Sequence, residues 1–385
     1  MTGLESPPGD RDEALDGLRA IAALMVVFYH CGVQLKVPPF VIPGYSGVHL
    51  FFVLSGYLIS RPFWARLVNG QPLPSWRTYG VRRFVRIYPT YFVALFVFVA
   101  MRFAGHLHTP TFTDVLLHVL LVFNWGDAAQ FLAINIAMWT LAIEAQFYVI
   151  LPIVAGLAKR LAPARGRLGS LSIGLAFVLV GWGSRLLEYR STLPGELRFR
   201  LPFSFLDLFA MGMFVAYFEL TRAAFLRAHR LLRGGLLVCA AATLLGTNYW
   251  LVADGGSDWL SPPTLALACL YPTLICGAFA LILLAVLTRA RYRVAVLTSA
   301  PFVFIGQISY SMYLFHVGVG YFVLTRLPRN VGQWLGLHPP VYALAQLGPV
   351  LVVSYMVYRA VERPSLRWVE SFSLRAREQK QVSPS

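Results

Sequence analysis

The sequence predicts an all-α fold, a polytopic transmembrane helix bundle of about ten spanning helices with one short re-entrant or interfacial helix. Three observations point there. Of the 385 residues 57 % are apolar and only 13 % are charged. The mean hydropathy is +0.63, and apolar runs of about 20 residues recur, each long enough to cross a hydrocarbon core ~30 Å thick. The basic residues also alternate from loop to loop, with 25 of the 33 Lys and Arg before the first span or in every second loop.

That alternation is how the positive-inside rule appears in a sequence, and it predicts a cytoplasmic location for both termini. It also accounts for the formal net charge of +16, so nucleic-acid binding is not expected. The spans read as 17–35, 46–64, 87–104, 138–157, 171–188, 202–220, 235–252, 264–287, 302–323 and 341–358. Residues 1–14 form a polar, acidic cytoplasmic tail with no apolar core or small-residue cleavage site, so no signal peptide is expected. One membrane domain, 15–360, follows, and 361–385 are a basic cytoplasmic tail with no second domain expected after it.

Within the domain, Arg61–Pro89 is the longest and most basic loop. Pro72 and Pro74 break it, and Trp76–Tyr88 reads as an amphipathic helix leading into the third span. Asp114–Trp125 is apolar but only 12 residues long, too short to span, and is the predicted re-entrant or interfacial piece on the outer side. Cys31, Cys239, Cys269 and Cys276 lie in apolar segments without metal-ligand spacing and read as small buried hydrophobes. No HExxH, Walker motif, GxGxxG or internal repeat occurs, so neither a metal nor an ATP-driven or inverted-repeat transporter is supported.

Ionisable residues inside membrane-length segments carry the functional signal. The first span, Leu15 to Val33, holds His30, with Arg19 at its mouth. Eleven residues separate them, about three turns or ~16 Å, so both point the same way. Asp16 shares that face and can pair with Arg19. Glu144 lies in the run Met138 to Tyr148, and His316 in Ser309 to His316. Counted at 1.5 Å per residue, His30, Glu144 and His316 fall at similar depths, ~18–21 Å from the cytoplasmic side, which predicts a shared polar cavity in the outer half. A histidine with carboxylates at hand is the minimum for acid–base chemistry on a hydroxyl. The same groups could serve as a proton pathway in a transporter or flippase, or as satisfied core residues. Arg83 and Arg86 are three apart, hence neighbours on one helix face and a candidate anion grip.

Several stretches resemble the membrane-bound acyltransferase 3 family, whose members O-acylate sugars and other hydroxylated acceptors. They are Leu15-Asp-Gly-Leu-Arg-Ala-Ile-Ala-Ala-Leu24 with the Arg-x10-His spacing that ends at His30, Gly47-Val-His-Leu-Phe-Phe-Val-Leu-Ser-Gly-Tyr-Leu-Ile59, Arg82-Arg-Phe-Val-Arg-Ile-Tyr-Pro89, Trp139 to Tyr148, Ile308 to His316, and Glu362-Arg-Pro364. The six occur in the family's order along nearly the whole chain. The resemblance implies that His30 is the essential histidine and Arg19 the arginine paired with it. It implies that Arg83 and Arg86 bind the acyl donor, and that Glu144 is the glutamate of the family's Trp-Ser-Leu motif, with Thr140 here in the serine's place. Tyr57, Tyr310, Asp16 and His316 are then candidates to line the cavity.

The activity implied is transfer of an acyl group, acetyl by preference, from cytoplasmic acyl-CoA to a hydroxyl of a carbohydrate, glycolipid or glycosylated metabolite. Acyl-CoA is a co-substrate, and no tightly bound cofactor or metal is implied. The location implied is the bacterial cytoplasmic membrane.

Overall fold

In the computed structural model residues 10–34, 44–104, 109–161, 166–191, 199–254, 262–289, 295–326, 331, 334, 338–369 and 371–372 are described. The ends of both predicted tails, 1–9 and 373–385, lie outside the described residues. Among the described residues thirteen α-helices follow in chain order: α1 (Asp10–Gln34), α2 (Ser46–Val68), α3 (Trp76–Ala104), α4 (Phe112–Val119), α5 (Ala128–Leu132), α6 (Trp139–Leu161), α7 (Gly166–Tyr189), α8 (Leu206–Ala228), α9 (Arg230–Ala253), α10 (Leu265–Leu287), α11 (Ala300–Gln307), α12 (Ser309–Arg326) and α13 (Pro339–Val357). No strand occurs among the described residues.

Eight of these helices are long and apolar enough to cross a membrane, and α11 with α12 makes nine if the pair is one span. The remaining predicted span, 46–64, is α2, whose 23 residues would reach across a bilayer but include His49 and Arg61. The chain is therefore an all-α, multi-pass membrane protein. Three boundaries differ from the sequence reading. The predicted amphipathic helix and third span form one helix of 29 residues, α3, which runs through Pro89. The span predicted over 302–323 is interrupted at Ile308.

Asp114–Trp125 becomes the eight-residue α4 followed by a 3-10 turn over Phe123–Trp125. A capping box starts α4, with Thr111 accepting from the Asp114 amide and Asp114 accepting from the Thr111 amide. Leu121, at φ 55°, ends the segment in the left-handed region that a leucine seldom adopts. Eight residues reach ~12 Å, well short of a span.

The helices divide into two compact units. The first comprises residues Met1–Leu73 and Trp139–Gln307, and the second Pro74–Met138 and Ile308–Ser385. In the first unit α2 is central, with Phe52, Tyr57, Phe63 and Trp64 among its buried side chains. It packs on α8 through two glycines. A Cβ at Gly56 would run into the Phe209 carbonyl, and one at Gly212 into the Val53 carbonyl, so the two backbones touch where side chains would hold them apart. In the second unit α12 packs on α13 and α3. There Ser311 donates to Glu362 at 2.6 Å, joining α12 to the π-helical turn Tyr358–Glu362.

Candidate active site

His30 sits half-buried on α1 in the first unit. Its Nδ1 is 2.9 Å from the Val26 carbonyl oxygen one turn earlier. A carbonyl can only accept, so Nδ1 carries the proton and the neutral ring keeps its lone pair on Nε2. The edge of Tyr29 meets the ring at 5.2 Å. From there aromatic contacts lead to Tyr45, 5.6 Å from Tyr29 between centroids. The Tyr45 hydroxyl lies 2.9 Å from that of Tyr271, which donates to Asn248 at 2.9 Å. His49, fully buried, stands edge-on to both Tyr45 and Tyr271. The histidine of α1 is thus the end of a polar aromatic string that reaches α9 and α10.

Towards the start of α1, Arg19 donates to Asp16 at 2.7 Å, the pair lying one turn apart with side chains about one-fifth exposed. Here α1 is approached closely by α11, because a Cβ at Gly306 would strike the Asp16 carbonyl. Glu144 belongs to the same unit, on α6. Its Oε1 accepts from the Ser55 hydroxyl of α2 at 2.8 Å and from the Tyr148 hydroxyl one turn along α6 at 2.7 Å. A carboxylate with two hydroxyl donors is fixed in orientation. Tyr57 is fully buried and donates to Glu219 at 3.3 Å, beside the Arg61–Glu219 ion pair at 2.8 Å.

The second unit holds the remaining predicted residues. Arg83 and Arg86 lie on α3, Arg83 half-buried with its guanidinium 5.6 Å from the Tyr79 ring centroid, Arg86 exposed. Tyr310, at the start of α12, donates to the Ile87 carbonyl at 2.9 Å, one residue beyond Arg86. His316 is 3 % exposed, and its Nδ1 donates to the Tyr313 carbonyl at 2.7 Å. So the fold brings Asp16 to Arg19 and Tyr310 to the arginine-bearing stretch of α3, and it groups His30, Arg19 and Glu144 in one unit.

Two sets of residues escaped the sequence reading. One is the Glu144 clamp of Ser55 and Tyr148. The other is a buried ion pair between Arg185 of α7 and Asp207 of α8, both wholly inaccessible, to which Thr273 of α10 also donates. Opposite charges in two neighbouring apolar runs, 171–188 and 202–220, are the signal that could have found it. Among the described residues no group of three or more His, Cys, Asp or Glu side chains is placed to hold a metal ion.

Similarity to known proteins covers most of the chain. The model of the acyltransferase 3 family, described as an acyltransferase domain, matches residues 12–359. A Staphylococcus aureus protein that carries the provisional name O-acetyltransferase is 24 % identical over 93 % of this chain, which spans only 59 % of that relative's length. The peptidoglycan O-acetyltransferase of Listeria monocytogenes is 31 % identical over 36 % of this chain and 23 % of its own. A Bacillus subtilis protein provisionally named a peptidoglycan O-acetyltransferase is 32 % identical over 41 % of this chain and 26 % of its own. No solved structure matches. With the family model matched over residues 12–359, nearly the whole chain, the chain belongs to the acyltransferase 3 family.

Proposed function

We propose that this protein is a membrane O-acetyltransferase that moves the acyl group of acyl-CoA to a hydroxyl of a carbohydrate, glycolipid or glycosylated metabolite. The relatives named for peptidoglycan O-acetylation support a glycan hydroxyl as acceptor. The observation that carries the chemistry is the His30 tautomer. Its Nδ1 lies against the Val26 carbonyl, so in the neutral ring the basic lone pair is on Nε2.

In this mechanism the acceptor oxygen attacks the thioester carbonyl carbon as Nε2 of His30 takes the hydroxyl proton. The tetrahedral intermediate then expels the thiolate, breaking the carbon–sulfur bond. The imidazolium returns its proton to that sulfur, leaving the ester and free CoA. Glu144, held by Ser55 and Tyr148, orients the acceptor or steadies the imidazolium, and Arg19, with Asp16, sits at the opposite end of the His30 face. Arg83 and Arg86 grip the phosphates of the donor, a task that suits the planar guanidinium fork. The enzyme works in the bacterial cytoplasmic membrane with its basic loops inside, where CoA is.

The test is acetyl transfer from radiolabelled acetyl-CoA in membranes that contain wild-type protein or variants. His30→Ala is expected to abolish transfer while the protein is still inserted at wild-type levels. Arg83→Gln and Arg86→Gln are expected to raise the apparent KM for acetyl-CoA. Transfer that survives His30→Ala would sink the general-base role, and an unchanged KM would remove the arginines from the donor site.

A further inference from the structure

We propose that a groove between α8, α9 and α10 of the first unit is a binding site for one acyl chain of an anionic phospholipid. The groove encloses about 810 Å³. Its α8 wall is a single helical stripe, with Met211, Phe214 and Phe218 at successive three- and four-residue steps. Opposite them on α10 stands Gly277, where a missing side chain opens the space. The third wall, α9, buries only Ala240, Thr247 and Leu251, so this helix is the most exposed of the three.

Length and charge define the occupant. On α10 the lining runs from Thr273 to Leu284, eleven residues or ~17 Å, close to the ~15 Å depth of one leaflet of a hydrocarbon core. An acyl chain from that leaflet fills such a slot, and a chain several times longer would protrude from it. Among the described residues of the lining, the polar side chains besides Thr243 and Thr273 reduce to Arg222, near the C-terminal end of α8 and exposed. Arg227, Arg230 and Arg233 crowd the same end, where Arg233 donates to the Leu226 and Arg227 carbonyls at 2.5 and 2.6 Å. That contact covers carbonyls near the end of α8, while Arg222 lines the groove. An apolar slot one leaflet deep with cations at one end complements a lipid whose headgroup is negative. A zwitterionic headgroup offers those arginines no net charge.

The experiment uses the full chain, purified in detergent. Micelles doped with palmitoyl-oleoyl phosphatidylglycerol are compared with micelles doped with the phosphatidylcholine of the same chains, reading retained lipid by native mass spectrometry and thermal stability in parallel. Wild type is expected to keep one phosphatidylglycerol and to melt higher with it than with phosphatidylcholine. Arg222→Gln is expected to weaken phosphatidylglycerol about fivefold, the loss of one arginine near a headgroup. Gly277→Phe fills the groove and is expected to retain no lipid. A Cβ there meets nothing closer than the Met211 sulfur at 4.0 Å, so the variant can fold, and its lipid-free melting temperature verifies that it has. Equal retention by Gly277→Phe, no preference for phosphatidylglycerol, or a lipid-free dimer that Gly277→Phe dissociates would each overturn the proposal, the last by assigning the groove to a second copy.

Discussion

Glu144 owes its geometry to two hydroxyls from different helices, Ser55 on α2 and Tyr148 on α6. A hydrogen bond to a charged group is worth about 1.5–3 kcal/mol, so Tyr148→Phe is expected to lower acetyl-transfer turnover about tenfold or more. Ser55→Ala should act in the same direction. Because both donors serve one carboxylate, the double variant should cost less than the sum of the single effects. Strict additivity in the turnover numbers would mean that the two hydroxyls act independently of Glu144. Nothing in the sequence joined Ser55 to Glu144, since 89 positions separate them, whereas Tyr148 lies one helical turn from Glu144, a spacing the sequence does carry. His30, Arg19 and Glu144 stand out in the sequence as candidates, because a charged or titratable residue is conspicuous against an apolar run.

His118 lies outside the spans and is fully buried, stacked on Phe123 at 3.9 Å, with Nδ1 donating to the Asp114 carbonyl at 2.7 Å. Burial pushes its pKa down to about 4 from 6.5, against a smaller opposing effect of the Asp114 backbone and charge. The folded state therefore holds the neutral ring, while the unfolded chain takes up a proton below pH 6.5. The stability this burial allows is complete above that pH and is lost as pH falls towards about 4, a change of about 3 kcal/mol. Melting curves of the solubilised protein should show this acid slope, and His118→Gln should flatten it. An unaltered slope would place the acid sensitivity elsewhere.

At the level of elements, α2 and α8 are joined by backbone contact at Gly56 and Gly212. In lipid no hydrophobic force holds helices together, so close packing at small residues does that work. Gly56→Ala drives a methyl into the Phe209 carbonyl, and Gly212→Ala drives one into the Val53 carbonyl. Each is expected to destabilise the solubilised protein by about 1–3 kcal/mol, the usual range for overpacking. Gly156→Ala on α6 meets nothing within 4 Å and should be neutral or slightly stabilising. Equal melting temperatures for Gly56→Ala and Gly156→Ala would refute the contact. Helix existence was readable from the apolar runs, and the failure of Asp114–Trp125 to span was readable from its length. The break at Ile308 was not, because the flanking runs are apolar on both sides and hydropathy is blind to a turn between them. Nor was the fusion of Trp76–Tyr88 with the third span, where Pro89 suggested a boundary that the helix runs through.

Across the whole molecule the spans were legible and their grouping was not. Each unit combines an N-terminal and a more C-terminal stretch of chain, and periodicity within a segment carries no information about which distant segment it packs against. What the sequence does carry at this scale is orientation, through the distribution of charge. The four arginines of 222–233 lie at one end of α9, and the acidic Asp254 caps the other. The positive-inside rule predicts that the arginine end is cytoplasmic. The same rule predicts a cytoplasmic location for the stretch 61–86, with Arg83 and Arg86, as the proposed use of acyl-CoA requires. In a background with Cys31, Cys239, Cys269 and Cys276 replaced by alanine, Asp254→Cys should react with an impermeant maleimide on intact cells. Ala228→Cys, at the end of α8, should react only after the membrane is opened. The two positions are separated by the whole of α9, 24 residues or ~36 Å, more than the core of a bilayer. The reverse labelling pattern would invert the chain and put the paired arginines outside, away from any cytoplasmic donor.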